Sequence, residues 1–478
     1  MRRAIMKKPQ RFAFALMALA GILLAASWLT PAKAEEPRLP IVYVHGGAGS
    51  GAQYETQAMR FSSNNYPNVV RAIDRTSSSS ATLNPMLDAF FDAVMAETGD
   101  TQIYVVAHSL GTSLMVNYLN SSPERSARVA KYINVDGATG VNCPGNPAPV
   151  NCKGIWGQGV PGRAMGTNNV TFPNFGHTQT VTAPESFAEQ YKFFTGEDPA
   201  TTLILPVPPG QVQIAGKAIN FPANTGVDGA TLQIWEVHDN SGIRKASSPM
   251  ATFTLGPTGE WGPVSINGKK YYEFTLIRPD VDYVGNYYLQ PFIRSDYLVR
   301  LLASPPGSPI ITNTASGPDH SAAVLIRYKE WWSDQGAGSD IVNVSTTSPT
   351  WGDQGPLNIL SNVAVAPRNP IIPFSPNKIG LHVHDAIPAD KVSTLAPIPY
   401  FLAQTFQTGV DIWMPATTPP DGVITWENAP RGDTSRLQTL HTPNWASDGH
   451  RISIQFNDYV QDINSWPQCK QTKPSPCK

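Results

Sequence analysis

Charge is scarce in this chain of 478 residues: Asp, Glu, Lys and Arg make up 15%, against about 25% in an average soluble protein. A basic excess is missing as well, with 35 Lys+Arg facing 36 Asp+Glu. Little is therefore available to neutralise a phosphate backbone, and nucleic acid is not expected as a partner. Cysteine is rare, four residues in all, in spacings that match no zinc pattern. Long apolar runs are absent except for one near the N-terminus. What is present excludes general disorder: 41% hydrophobic and 9% aromatic residues, enough to build cores. The length suggests about two to four domains.

The one long apolar run has a distinctive setting. Arg2, Arg3, Lys7, Lys8 and Arg11 precede it, residues 12–29 are 18 positions without charge, and Ala32-Lys33-Ala34 follows. A basic start, an apolar middle and a small-x-small site predict a secretory signal peptide over residues 1–34. The rival is an uncleaved anchor, since 18 apolar residues stand at the lower limit for a span. Without residues 1–34 the 35 basic residues fall by six to 29 against 36 acids, a formal −7. The expected location is secreted or periplasmic, with no integral membrane segment after cleavage. In an oxidising compartment the close pairs Cys143–Cys152 and Cys469–Cys477 are expected to form two local disulfides.

The pattern of the chain changes near residue 200. Before it, short apolar runs at 41–45, 69–73, 102–107 and 129–135 alternate with helical spacing at 83–97 and 111–119. Phe187, Tyr191 and Phe194 mark one face of a last helix. Alternating strand and helix predicts a mostly parallel sheet with helices on both faces, over 35–200. After it, short alternating runs separated by turn residues predict an all-β sandwich or barrel over 201–478, as one large or two smaller domains. One helix is expected in that region, over 319–332.

Ala107-His108-Ser109-Leu110-Gly111 follows the run Q-I-Y-V-V-A and opens a helix. This is the G-x-S-x-G elbow with Ala first, a tight turn that exposes a serine hydroxyl between a strand and a helix. His45-Gly46-Gly47-Ala48-Gly49-Ser50-Gly51 follows the first strand and suits an oxyanion-hole loop. Gly47 N–H and Leu110 N–H are the expected donors. The rival for this loop, a phosphate cradle, lacks the P-loop lysine. His45 is expected to be structural. His177 is the one histidine after Ser109 in the first domain, and is expected to be the general base. Of the two acids between them, Glu124 reads as solvated. Asp136 ends a strand, where open α/β sheets place functional groups; its alternative is to cap a turn.

These motifs carry a resemblance. Residues 39–195 look like the α/β-hydrolase fold in its small lipase/esterase form. With the β-rich tail, the chain is similar to archaeal-type two-domain lipases, in which a β-barrel domain follows the hydrolase. Those lipases carry a long helical lid before the nucleophile strand, for which residues 53–101 are too short. Residues 140–172, with the Cys143–Cys152 loop, are expected to shape the pocket instead.

The expected function is that of a secreted serine carboxylic-ester hydrolase of carboxylesterase or triacylglycerol-lipase type. Its Ser109-Asp136-His177 triad would act through an acyl-enzyme, on an ester or lipid substrate, without metal or cofactor. The alternative is a surface- or polymer-binding protein with an accessory hydrolase for polyester or amide. His382 and His384 could share a strand face as metal ligands, but no third ligand is evident. The many tryptophans of the tail are expected to be mostly core or edge residues.

Overall fold

Strand β1 (Ile41–Val44) is fully buried, and its side chains divide between two cores. Val42 and Val44 face one, Ile41 and Tyr43 the other. Strand β3 (Ile103–His108) does the same, with Ile103, Val105 and Ala107 opposite Tyr104 and Val106. A strand covered on both faces needs apolar residues at every position, which is why these runs lack alternation. These findings come from a computed structural model that describes residues 36–75, 80–157, 162–173, 175–327, 331, 340–360, 378–429 and 437–457. The expected signal segment and Cys469–Cys477 lie outside the described residues.

With β2 (Val70–Ile73), β4 (Val129–Val135), β5 (Asn151–Trp156) and β6 (Asn169–Thr171), a six-stranded sheet forms in the order β2-β1-β3-β4-β5-β6. Every pairing in it is parallel. Helices α1 (Glu55–Ser63) and α4 (Pro184–Thr195) cover one face through Phe61, Phe187 and Phe194. Helices α2 (Ser80–Thr98) and α3 (Leu110–Ser121) cover the other through Leu87, Phe91, Met115 and Tyr118. This is an α/β-hydrolase arrangement, with antiparallel-rich β sheets after it.

The β region is built on one nine-stranded mixed sheet. Its spatial order is Ala251–Thr254, Thr231–Val237, Tyr271–Ile277, Val284–Leu289, His450–Gln455, Ala322–Ile326, Lys378–His384, Phe406–Asp411 and Ala396–Pro397. A sheet containing Val212–Asn220 and Asp296–Ala303 contributes to one core with the first half. A sheet containing Ile341–Thr347 and Val423–Ala429 contributes to a second core with the other half. The strand His450–Gln455 joins the halves, running parallel to both of its neighbours.

Among the described residues of 319–332 no helix is found; Ala322–Ile326 is a strand. Its sides differ: Ala323 and Leu325 enter a core, while Val324 and Ile326 line a cavity. Both sides are covered, so the run is continuously apolar, and a short run of that kind does not separate strand from helix by periodicity.

Several polar contacts fix the β region to the hydrolase. Arg300 Nη2 lies 2.8 Å from Asp74 Oδ2, both side chains 3% exposed. Arg294 Nε donates to Ser62 Oγ at 2.9 Å, and Gln455 Nε2 to Glu55 Oε1 at 3.1 Å.

Candidate active site

The chain leaves β3 through Ser109, whose φ of 51° and ψ of −125° are rarely adopted by a residue with a side chain. Surrounding bonds hold the turn. Ser109 N–H donates to the Val135 carbonyl at 3.0 Å. Thr112 Oγ1 donates to the Ser109 carbonyl and accepts from Ala138 N–H, each at 2.6 Å. One hydroxyl thus ties the serine turn to the loop after β4. The need for a small residue two positions after Ser109 has a direct cause. A Cβ on Gly111 would stand 2.6 Å from the carbonyl oxygens of Val44 and His45.

Asp136 leaves β4 with a φ of 47°, one residue beyond Val135, which pairs with His108 in β3. Both turns therefore open at the same edge of the sheet. The Asp136 carboxylate divides its oxygens. Oδ2 lies 2.5 Å from His177 Nδ1. Oδ1 accepts from Arg163 Nη1 at 2.7 Å and from Gly157 N–H at 3.2 Å. Burial pushes this carboxyl pKa up, but the hydrogen bond and charge of His177, and the charge of Arg163, outweigh it. The pKa ends below the ordinary value. His177 is buried, and with Nδ1 donating to the carboxylate its Nε2 is left as the acceptor nitrogen. That Nε2 has no hydrogen-bond partner among the described residues.

Two further histidines brace the site. His108 spans Gln53 Nε2 at 3.1 Å and the His177 carbonyl at 3.0 Å. Burial, then the proximity of His177, hold its pKa well below the ordinary value, so it stays neutral. In that state Nδ1 accepts from Gln53 and Nε2 donates to His177. His45 contacts the Gly46 carbonyl through Nδ1 at 2.8 Å and accepts Arg75 N–H at 3.1 Å through Nε2. Arg75 also donates to the carbonyls of His45 and Gly46 at 2.9 and 2.6 Å. Asn224, from the β region, donates to the Gly49 carbonyl at 2.8 Å. The glycine loop is therefore held from both sides. A Cβ on Gly46 would lie 2.7 Å from Ser109 Cβ, so loop and serine turn touch there.

Gly47, Ser109 and His177 line one cavity of about 420 Å³. Leu110 begins α3, with its side chain 50% exposed. Glu124 is exposed and far from these groups in role: it sits in the short helix Pro123–Ala127. The opposite walls of the cavity are the unexpected part. They come from the β region: Phe221, Leu302, Pro305 and Ile310, then Val324, Ile326 and Ile379, then Tyr400 and Phe406. No described residue of 140–172 lines the cavity, contrary to expectation. That segment supports the acid instead. The Cys143–Cys152 disulfide is formed. Next to it, Gly166 N–H donates to the Gly140 carbonyl at 3.0 Å and Gly140 N–H to the Ala164 carbonyl at 2.9 Å. Arg163 is thereby positioned toward Asp136. No local motif marks Arg163, which meets its partner only through the fold; His108 was visible as the variable residue of the elbow but gave no sign of its bonds.

Among the described residues no group of three or more His, Cys, Asp or Glu is placed to hold a metal ion, His382 and His384 included. Trp331 and Trp426 are fully buried in cores, while Trp351 is 36% exposed. No helix among the described residues is long and apolar enough to cross a membrane.

Three family models match the chain. Residues 39–179 match the alpha/beta hydrolase fold, 210–306 a lipase C-terminal domain, and 309–460 a further C-terminal domain. No curated relative matches the chain. Among solved structures, the lin2722 gene product of Listeria innocua is similar at 12% identity and a TM-score of 0.28. It covers 35% of this chain and 97% of its own. A likeness at that level carries no argument. The family matches do: they show an alpha/beta hydrolase domain followed by a lipase C-terminal domain and a further C-terminal domain.

Proposed function

We propose that this hydrolase is a secreted serine carboxylic-ester hydrolase, an esterase or lipase, acting through an acyl-enzyme. The observation that carries the proposal is a shared cavity. It holds a serine in a strained turn and a histidine whose far nitrogen bonds a buried, charged carboxylate. In that reading Ser109 Oγ attacks the ester carbonyl and His177 Nε2 takes its proton. Asp136 holds the imidazole tautomer and stabilises the imidazolium. Gly47 and Leu110 N–H groups face the developing oxyanion, where one such donor is worth about 100- to 1000-fold in rate. His177 then protonates the leaving alcohol, and water releases the acyl group by the reverse path.

Apolar walls favour an ester with a hydrocarbon portion. Because the β region supplies those walls, it serves the reaction directly, which favours this reading over a polymer-binding protein with an accessory hydrolase. Export is supported by the basic-apolar-small layout of residues 1–34 and by the Cys143–Cys152 bond. The test is hydrolysis of p-nitrophenyl esters by the full chain, with fluorophosphonate labelling mapped by mass spectrometry. Turnover, label on Ser109 and loss of both in Ser109→Ala are expected. Turnover persisting in Ser109→Ala would remove the assignment.

A further inference from the structure

Most of the cavity's lining area is apolar, and His382 is among its polar side chains. His382 belongs to the strand Lys378–His384 and pairs in the sheet with Val324, which also lines the cavity. Its side is 8% exposed, whereas Tyr400 and Gln407 are only half-buried. Its ring lies flat on Phe401, with centroids 4.1 Å apart and planes 13° from parallel. Phe401 is itself fully buried against Gly409, where a Cβ would stand 2.6 Å from the phenyl ring. The imidazole is therefore held in one orientation.

Unlike those of His384, its ring nitrogens are not among the buried atoms without a hydrogen-bond partner, and the residue lines the cavity. Burial, with His384 adding to it, pulls the ring pKa down to about 3, so the imidazole is uncharged at neutral pH. An uncharged imidazole offers one donor and one acceptor. A substrate oxygen beside the ring would accept from its N–H or donate to its bare nitrogen. Behind His382 a smaller cavity of about 80 Å³ is lined by His382 and His384, and shares Leu302, Ser304 and Ile310 with the main one. His384 is buried there, and neither ring nitrogen has a hydrogen-bond partner among the described residues. The main cavity is mostly apolar, and Gln404, Gln407 and Ser304 join His382 among its polar lining groups.

We propose that His382 is a specificity residue that hydrogen-bonds an uncharged oxygen, a hydroxyl or a carbonyl, on the substrate chain away from the ester being cut. The preferred substrates are then esters of oxygenated chains, rather than plain alkanoyl esters of equal length. The proposal rests on the ester-hydrolase reading of the same cavity, so its test separates the two.

Binding is measured first by calorimetry on full-length Ser109→Ala protein, which removes turnover. The probes are ethyl dodecanoate and a series of ethyl hydroxydodecanoates with the hydroxyl moved along the chain. At least one positional isomer should bind about three- to tenfold more tightly than the plain ester, the range of one net hydrogen bond. His382→Leu in that background should erase the preference, and His382→Gln, which retains a donor and an acceptor, should restore part of it. Three results overturn the proposal: no isomer preferred, no binding of any probe, or a preference unchanged in His382→Leu. A stronger preference for a chain ending in carboxylate would also overturn it, by moving recognition to Arg451 in the smaller cavity. Turnover of the same esters by the unsubstituted chain reports separately on the hydrolase reading. Preference without turnover would end that reading and leave His382 as a binding group.

Discussion

Arg163 donates to Asp136 at 2.7 Å, on the carboxylate oxygen that His177 does not use. The guanidinium also lies 4.6 Å from the ring centroid of Trp156 and donates to the Gly137 carbonyl at 2.9 Å. Three directions fix it, and through it the carboxylate. Arg163→Met should lower kcat for ester hydrolysis about ten- to a hundredfold, the scale set by small misplacements of a reacting group. It should also change the pH profile. Arg163 helps to hold the Asp136 pKa down; losing its positive charge makes proton uptake by the hydrogen-bonded acid–base pair easier, and the acid limb of kcat/KM moves to higher pH. A residue with a merely structural role would lower activity without moving the limb. An unmoved limb would rule out positioning of the acid through charge.

Val324 and Ile326 face the cavity from the β region. Replacing either by Trp fills space needed by a long acyl chain and leaves the serine turn untouched. Hydrolysis of long-chain p-nitrophenyl esters should fall about ten- to a hundredfold relative to short-chain esters. Equal losses at every chain length would show that this wall does not hold the acyl group.

Arg300 and Asp74 form a buried pair between the β region and the hydrolase. Burial raises the Asp74 pKa, but the charge and hydrogen bonds of Arg300 bring it below the ordinary value. Arg300→Ala would leave a charged carboxylate buried, with Lys217 Nζ at 3.8 Å as its neighbouring cation. Unfolding free energy should fall by about 3–5 kcal/mol, read from denaturant titration. A loss below about 1 kcal/mol, the value of an exposed pair, would mean that solvent reaches the interface.

Burial lowers the ring pKa of His45, His382 and His384 from 6.5 to about 4, 3 and 4. As pH falls below 6.5 the unfolded chain takes up these protons while the folded chain does not. Folded stability therefore declines through the window between 6.5 and the folded values, by about 1.4 kcal/mol per pH unit for each ring. Denaturant midpoints should drop steadily from about pH 7 to about pH 5, above the range where ordinary carboxylates titrate. A flat midpoint over that window would show that the three rings are solvated.

Most of the hydrolase sheet was readable from residue order. Val129–Val135 begins and ends where the apolar run does, and Ser109, Asp136 and His177 each stood beside a recognisable strand end or loop. Local chemistry suffices there, because a doubly covered strand must be apolar throughout and a tight turn must have small neighbours. Arg163 and His382 were beyond that reach. Each lies far along the chain from the group that it serves, and only the fold brings the two together.

By itself the sequence determined the two-part pattern of the chain, the serine elbow, the glycine loop and the candidates for acid and base. Those follow from periodicity and sterics within a few residues. Tertiary structure alone decided what surrounds the serine. The run 322–326 turned out to be a strand because a core covers one side of it and the cavity the other. The described residues of 140–172 turned out to prop Asp136 rather than wall the cavity. Both outcomes depend on contacts outside the local window, such as Arg163 with Asp136 and Ala323 with Ile452, and local propensity carries no information about such contacts.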